Sequence, residues 1–184
     1  MEEPVDLLLR VSRGIDAMNT IVHKAVMWLV LLAILISAGN AISRKLFSWS
    51  SNAFLELQWY LFAAVFLLSA GYTLLKGEHV KIDILYGRLS RRTQVWIDIV
   101  GTVLFLMPFC LLTIWLVWPQ VTMRIASGEV SPNPGGLPFW PAWALIPAGF
   151  CLLALQGVSE IVKRVAFLLG QGPDPALQQS KTAH

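Results

Sequence analysis

Four stretches of this chain run on without a single Asp, Glu, Lys or Arg: Ala25 to Ser43, Leu57 to Leu75, Ile99 to Met123 and Val130 to Ser159. Crossing a hydrocarbon core of about 30 Å at about 1.5 Å per residue takes on the order of 20 apolar residues in a helix. Each run is long enough, the last one from the end of its Pro- and Gly-rich opening, Ser131 to Pro138. Composition agrees, with 14% of residues charged against 56% hydrophobic, where a soluble domain carries roughly 25% charge. The same figures exclude disorder, which needs high charge and low hydropathy. The reading is an all-α membrane protein with four transmembrane helices, spans near 25–46, 53–75, 96–119 and 138–162.

The first run follows 24 residues carrying both charge signs and is followed directly by Arg44 and Lys45. It is longer than a typical signal core, so it reads as a retained helix. Cys110 and Cys151 both fall inside spans, away from any oxidising aqueous phase. No disulfide framework and no metal-ligand spacing is present. The net charge of +3 carries no nucleic-acid signal, because the basic residues flank spans.

Their distribution sets an expected orientation. Arg10, Arg13 and Lys24 precede the first span; Lys76, Lys81, Arg88, Arg91 and Arg92 lie between the second and third; Lys163, Arg164 and Lys181 follow the fourth. Arg44, Lys45 and Arg124 lie on the other side. The positive-inside bias then puts both termini and the middle loop in the cytoplasm. Tryptophan gives a separate check, since indoles favour the headgroup boundary. Trp28 and Trp96 fall near one boundary, and Trp49, Trp59, Trp115, Trp118, Trp140 and Trp143 near the other.

The connecting segments carry amphipathic signals. Leu7, Leu8, Val11, Ile15, Met18 and Val22 recur at spacings of three and four between Glu3, Asp6, Arg10, Arg13 and Asp16, a helix opened by Pro4. Residues 1–24 are therefore expected to form a helix lying along the cytoplasmic surface, with a simple extension of the first span as the alternative. Ile82, Leu85, Tyr86 and Leu89 form a second stripe, with Lys81, Arg88, Arg91 and Arg92 placed to meet anionic headgroups. Ser90 or Thr93 is expected to cap the third span. Ser127 to Pro138 is dense in Pro and Gly and predicts an irregular loop. Pro108 and Pro147 each remove a backbone donor and are expected to kink their helices, whereas Pro141 starts the fourth. Residues 165–184 are expected to form a disordered cytoplasmic tail.

Ionisable or coordinating groups at membrane depth mark function, because lipid makes unpaired polarity expensive. Asn40, Glu56, Asp98, Gln120, Gln156 and Glu160 are the candidates, and nearly all lie within one or two turns of a span end. The membrane centre is expected to be dry. Glu56, about a turn into the second helix, sits where exposed amides favour a carboxylate, and a pair with Arg44 is open. A haem reading needs facing imidazoles within spans. His23 and His79 are at boundaries or in loops and His184 ends the chain, so haem is not expected. Phosphate loops, nucleophile elbows and zinc helices are missing too, so the sequence does not read as an enzyme. Partner contact has better support. Ala33, Ser37 and Ala41 form a small-residue strip beside Asn40, with Ala144 and Ala148 a shorter one, and such strips let helices approach closely in lipid.

The run Glu56-Leu-Gln-Trp-Tyr-Leu-Phe, then Gly71-Tyr-Thr-Leu-Leu-Lys-Gly-Glu-His79-Val-Lys-Ile-Asp83, resembles the small, DctQ-like membrane subunit of tripartite ATP-independent periplasmic (TRAP) transporters. Asn40-Ala-Ile-Ser-Arg44 and Ile146-Pro-Ala-Gly-Phe-Cys-Leu-Leu-Ala-Leu-Gln156 are similar to the same family, and the likeness covers about 25–164. The resemblance implies a multi-pass protein of a bacterial inner membrane with cytoplasmic termini. It also implies a large elevator-type membrane subunit that holds substrate and sodium, and a periplasmic binding protein that delivers a small carboxylate-bearing acid. On that reading the chain is a scaffold without a cofactor or substrate site of its own. Lys76, His79 and Asp83 would set the loop turn, since His79 and Asp83 share a face if helical. Asn40, Arg44, Glu56 and the Ala33, Ser37, Ala41 strip would stabilise the outer end of the bundle or its seam with the large subunit. Two other classes stay open: a self-contained oligomeric channel or small carrier, and a membrane anchor for a redox complex.

Overall fold

The computed structural model describes residues 4–49, 51–77, 87 and 89–174. It contains four helices long and apolar enough to cross a membrane. They are α1 (Pro4–Phe47), α2 (Asn52–Lys76), α3 (Arg91–Ser127) and α4 (Trp140–Leu168). No strand occurs among the described residues; the only extended pairing there is an isolated bridge between Val130 and Pro138.

Burial is inverted relative to a soluble fold. The largest fully buried side chains are Gln156, Glu160, Val95, Asn19, Cys110, Ser12 and Ser159, whereas Phe66, Phe105, Leu104 and Ile21 are exposed. Lipid tails are as apolar as leucine, so apolar side chains gain little by turning inward and small or hydrogen-bonded groups take the contacts between helices. The fourth helix is the most buried, with 44% of its most apolar window buried against 11–17% for the other three. Seven of the eight tryptophans are exposed, as a lipid-boundary role requires; Trp143 is the half-buried exception.

The chain divides into two compact units. One comprises Met1–Thr20, Ala70–Leu112 and Cys151–His184. In it, α3 starts at an N-cap, Ser90, whose hydroxyl accepts from the amide of Thr93 at 3.3 Å. A π-helical segment, Thr102–Leu106, interrupts α3 just before Pro108, and the amide of Met107 reaches back to the carbonyl of Thr102. A proline ring collides with the carbonyl four residues earlier, and a widened turn relieves that collision. Gly157 packs on the same segment, since a β-carbon there would stand 3.2 Å from Leu106 and 3.3 Å from Met107. Gly170, at φ +74°, closes α4. Its amide bonds the carbonyl of Phe167 at 3.0 Å and that of Gln171 bonds Ala166 at 2.9 Å, the paired pattern that ends a helix on a left-handed residue.

The second unit comprises Ile21–Ser69 and Thr113–Phe150. Here α2 and α4 touch backbone to side chain, because a β-carbon on Gly149 would lie 2.6 Å from the carbonyl oxygen of Leu67. Ala33, Ala64 and Val121 are buried. Pro119 and Pro147 both lie within continuous helix.

Three expectations meet a different structure. No break separates the N-terminal stripe from the first span: α1 is unbroken over 44 residues, the alternative reading. At about 1.5 Å per residue that is roughly 66 Å, twice the hydrocarbon thickness. The tail is ordered as far as it is described: α4 runs on to Leu168, and Asp174 is gripped by Arg91. Residues 175–184 lie outside the described residues, as do His79, Lys81, Asp83 and Arg88. The Ser127 to Pro138 segment is an ordered turn, closed by Ser131 to Leu137 and Phe139 to Glu129 backbone bonds of 3.0 Å each.

The Gly149 contact gives a direct test. Gly149→Val is expected to destabilise the full chain by about 1–3 kcal/mol through overpacking, read as a lowered Tm in detergent. Gly14→Ala, where a β-carbon meets nothing within 4 Å, is expected to leave Tm unchanged or raise it slightly.

Candidate functional site

Two polar clusters stand out, one in each unit. In the second unit, Asn52, Glu56 and Tyr60 recur at every fourth residue of α2 and so share one face. All three bond the turn before α4. The side-chain amide of Asn52 donates to the carbonyl of Pro134 at 3.5 Å, and the Tyr60 hydroxyl donates to that of Pro138 at 3.0 Å. Between them, the buried Glu56 carboxylate accepts from three loop donors: the Ser131 hydroxyl, the Asn133 side-chain amide at 2.8 Å and the Leu137 backbone amide at 2.7 Å.

The turn is built for this. Gly135 takes φ +72°, open mainly to glycine. Gly136 lies so close to Ser131 that a β-carbon would stand 2.5 Å from the Ser131 β-carbon. These two positions let the chain curl around one carboxylate. The Pro and Gly density that predicted irregularity instead supplies the bends of a defined clamp.

Arg44 is not the partner of Glu56. It is exposed, and no ion pair joins the two, because loop donors fill the carboxylate. Asn40 accepts weakly from the amide of Ser51 at 3.5 Å. In the strip, Ala33 is buried within the chain's own packing, Ser37 is half-buried and Ala41 is exposed. Arg124 lies over the Trp143 ring at 3.9 Å, donates to the Gln120 side chain at 2.8 Å and stands 3.5 Å from Glu129.

The first unit holds a larger network that joins α1, α4 and α3. Asp16 accepts from Gln156 at 2.7 Å, from Ser159 at 2.7 Å and from Lys163 at 3.1 Å. Lys163 also bonds Glu160, which in turn pairs with Arg164. Arg164 continues to Asp98 of α3 at 3.2 Å. Ser12 meets Ser159 at 2.7 Å, and Asn19 donates to Gln156 at 2.9 Å. The carbonyl oxygen of Asn19 has no hydrogen-bond partner and lies against Gly71, where a β-carbon would sit 2.2 Å away.

Asn19, Gln156, Ser159 and Glu160 are completely or almost completely enclosed, and the three on α4 lie near the end of the fourth span, where Gln156 and Glu160 were expected. From the sequence, Asp16 stood only among the charges between the stripe residues, and Lys163 and Arg164 only among the basic residues after the fourth span. The signal was present in the spacing of Ser12, Asp16 and Asn19, which share a helix face with a polar stripe on α4 to match.

Arg91 was expected at lipid headgroups, but it makes a bidentate contact with Asp174, at 2.9 and 3.1 Å from its Nε, and also bonds Gln94 at 2.9 Å. Arg92 is exposed. Lys76 lies 5.3 Å from the Tyr72 ring centroid. His23 bonds the Ser69 hydroxyl at 3.1 Å. No group of three or more His, Cys, Asp or Glu residues that could hold a metal occurs among the described residues.

Chemically, the charged groups of both clusters are paired internally, and the side-chain oxygen of Asn19 is left without a hydrogen-bond partner. Each carboxylate in them is met by named donors, an arrangement that fixes helices and a loop in register and offers no nucleophile or general base beside an open cavity. Two predictions follow from the partners. Glu56→Gln keeps the side chain's size but loses the charge, and is expected to speed amide exchange at Leu137, measured by hydrogen–deuterium exchange. Arg164→Met strips Glu160 and Asp98 of a buried partner and is expected to cost on the order of 3 kcal/mol, read as a lowered Tm.

Compared with known families, residues 33–167 match the model described as tripartite ATP-independent periplasmic transporters, DctQ component. No curated protein and no solved structure matches.

Proposed function

Because the chain belongs to the DctQ family, the small inner-membrane component of TRAP transporters, we propose that it serves as the immobile brace of such a transporter and carries no substrate itself. In this family the component works with a large membrane subunit and a periplasmic binding protein; it is a transporter part and not an enzyme. For this chain, the large subunit would hold the sodium and substrate sites and move as an elevator. The cargo would be a small carboxylate-bearing acid. Both termini would be cytoplasmic, as the distribution of basic residues suggests.

One observation carries the reading. The buried polar side chains bond one another: Asp16, Glu160, Lys163 and Arg164 form one chain of contacts, and Glu56 is filled by the loop. A carrier has to leave such groups available to its solute. A brace has to keep its own helices in one arrangement while a neighbour moves, and internally paired charges do that. Extensive exposed apolar surface on α1 and α3 then remains for lipid and the large subunit.

The clamp on Glu56 would shape the outer surface offered to the large subunit and the binding protein, together with Asn40, Arg44, Ser37 and Ala41. A tagged copy extracted in mild detergent is expected to bring down a larger multi-pass subunit, while liposomes holding this chain alone take up no labelled acid under a sodium gradient. Uptake by the lone chain would sink the proposal in favour of a self-contained carrier. Glu56→Ala is expected to lower the yield of the copurified subunit several-fold, with the substrate profile of the remaining complex unchanged.

A further inference from the structure

Asn40 and Arg44 stay outside the Glu56 clamp, and the surface they share has a composition of its own. A cavity of about 230 Å³ opens beside α1, lined by Ile36, Gly39, Asn40, Ser43, Trp49 and Phe54. The chemistry of its wall changes along the helix. Ile36 is aliphatic, Gly39 leaves the middle open, and Asn40 and Ser43 bring polar groups at the next turn. A β-carbon at Gly39 would meet nothing within 4 Å. Trp49 and Phe54 form an aromatic wall, edge to face with centroids 6.2 Å apart. Arg44 continues the face of Ile36 and Asn40 one turn further, and Lys45 adjoins it. Both cations are exposed, and neither has a hydrogen bond or ion pair among the described residues.

From Ile36 to Lys45 the helix rises about 13 Å. Over that distance the surface passes from aliphatic through hydrogen-bonding to cationic. A glycerophospholipid presents the matching order, from acyl chain through ester to phosphate. We propose that this face of α1 seats one anionic glycerophospholipid, with a segment of one acyl chain in the cavity against Gly39 and the phosphate on Arg44 and Lys45.

The bland role of these cations is to offset the negative end of the helix dipole, but that role needs no cavity beneath them. The cavity is large enough for a segment of one acyl chain. Trp49, exposed at the rim, suits the headgroup boundary. The inference needs only that α1 spans the membrane, so it stands or falls separately from the bracing role.

The test uses the full chain, delipidated in mild detergent and titrated with phosphatidylglycerol or with phosphatidylcholine of the same chain length, with retained lipid counted by native mass spectrometry. One tightly held phosphatidylglycerol is expected, preferred over phosphatidylcholine by about thirtyfold, since two cations near a lipid surface at about 1 kcal/mol each contribute about 2 kcal/mol and about 1.4 kcal/mol is tenfold. The double variant Arg44→Ala, Lys45→Ala should lose the preference. Gly39→Leu, at a position where a β-carbon meets nothing within 4 Å, places a side chain in the cavity and should lose the tightly held lipid of either kind. Lys24→Ala, a cation outside the groove, should behave as the unaltered chain does. Preference surviving in the double variant, or retention surviving in Gly39→Leu, would overturn the proposal and assign the lipid to a nonspecific shell. No retained lipid, with the two cations instead required for binding an acidic soluble protein, would overturn it in favour of a protein partner.

Discussion

The run of contacts from Asp16 through Lys163, Glu160 and Arg164 to Asp98 is the constraint on which the first unit depends. It ties α1, α4 and α3 together through charges largely shut away from solvent. Burial makes the alternative severe: removing one partner would leave an uncompensated charge enclosed in protein. The pairing also selects a register. Sliding α1 by one turn against α4 would separate Asp16 from Gln156, Ser159 and Lys163 at once, so these contacts discriminate between arrangements that apolar packing would leave nearly equal.

Close packing works alongside this. Association in a membrane gains little from apolar burial, and interhelical hydrogen bonds contribute on the order of 0.6 kcal/mol each. Small residues raise the dispersion contribution by letting backbones approach. Gly149 does so against Leu67 in one unit, and Gly71 and Gly157 do so in the other against Asn19 and the π-helical segment. The proline at 108, the widened turn before it and the glycine opposite form one solution to a missing donor. The bracing role proposed above is consistent with such a build, in which the buried charges are paired internally.

Much of the candidate site could be read from residue spacing, and the remainder depended on distant partners. Asn52, Glu56 and Tyr60 lie on one face by counting alone. That they hold the turn at 131–138, some eighty residues later, follows from the approach of α2 to the start of α4, and from glycines that bend the loop around the carboxylate. Arg44 looked like a partner for Glu56 because opposite charges at neighbouring helix ends are plausible. The loop prevailed because it brings three donors, one of them a backbone amide that would otherwise need its own acceptor. The N-terminal stripe misled for a physical reason: the polar face of α1, with Ser12, Asp16 and Asn19, finds partners on α4, so the apolar face is the outer one.

By itself, the amino-acid sequence determined that the chain is helical, that it has four helices apolar enough to cross a membrane, and which family it resembles. These properties depend on runs of apolar residues and on local charge, which each segment carries independently of the others. The tertiary structure alone decided which faces meet: that Asp16 joins α4, that Glu56 closes on a loop, that Arg91 grips Asp174 and that α1 continues without a break. Such pairings rest on the juxtaposition of groups far apart along the chain, and in lipid that juxtaposition is governed by a few hydrogen bonds and glycine contacts that hydropathy does not register.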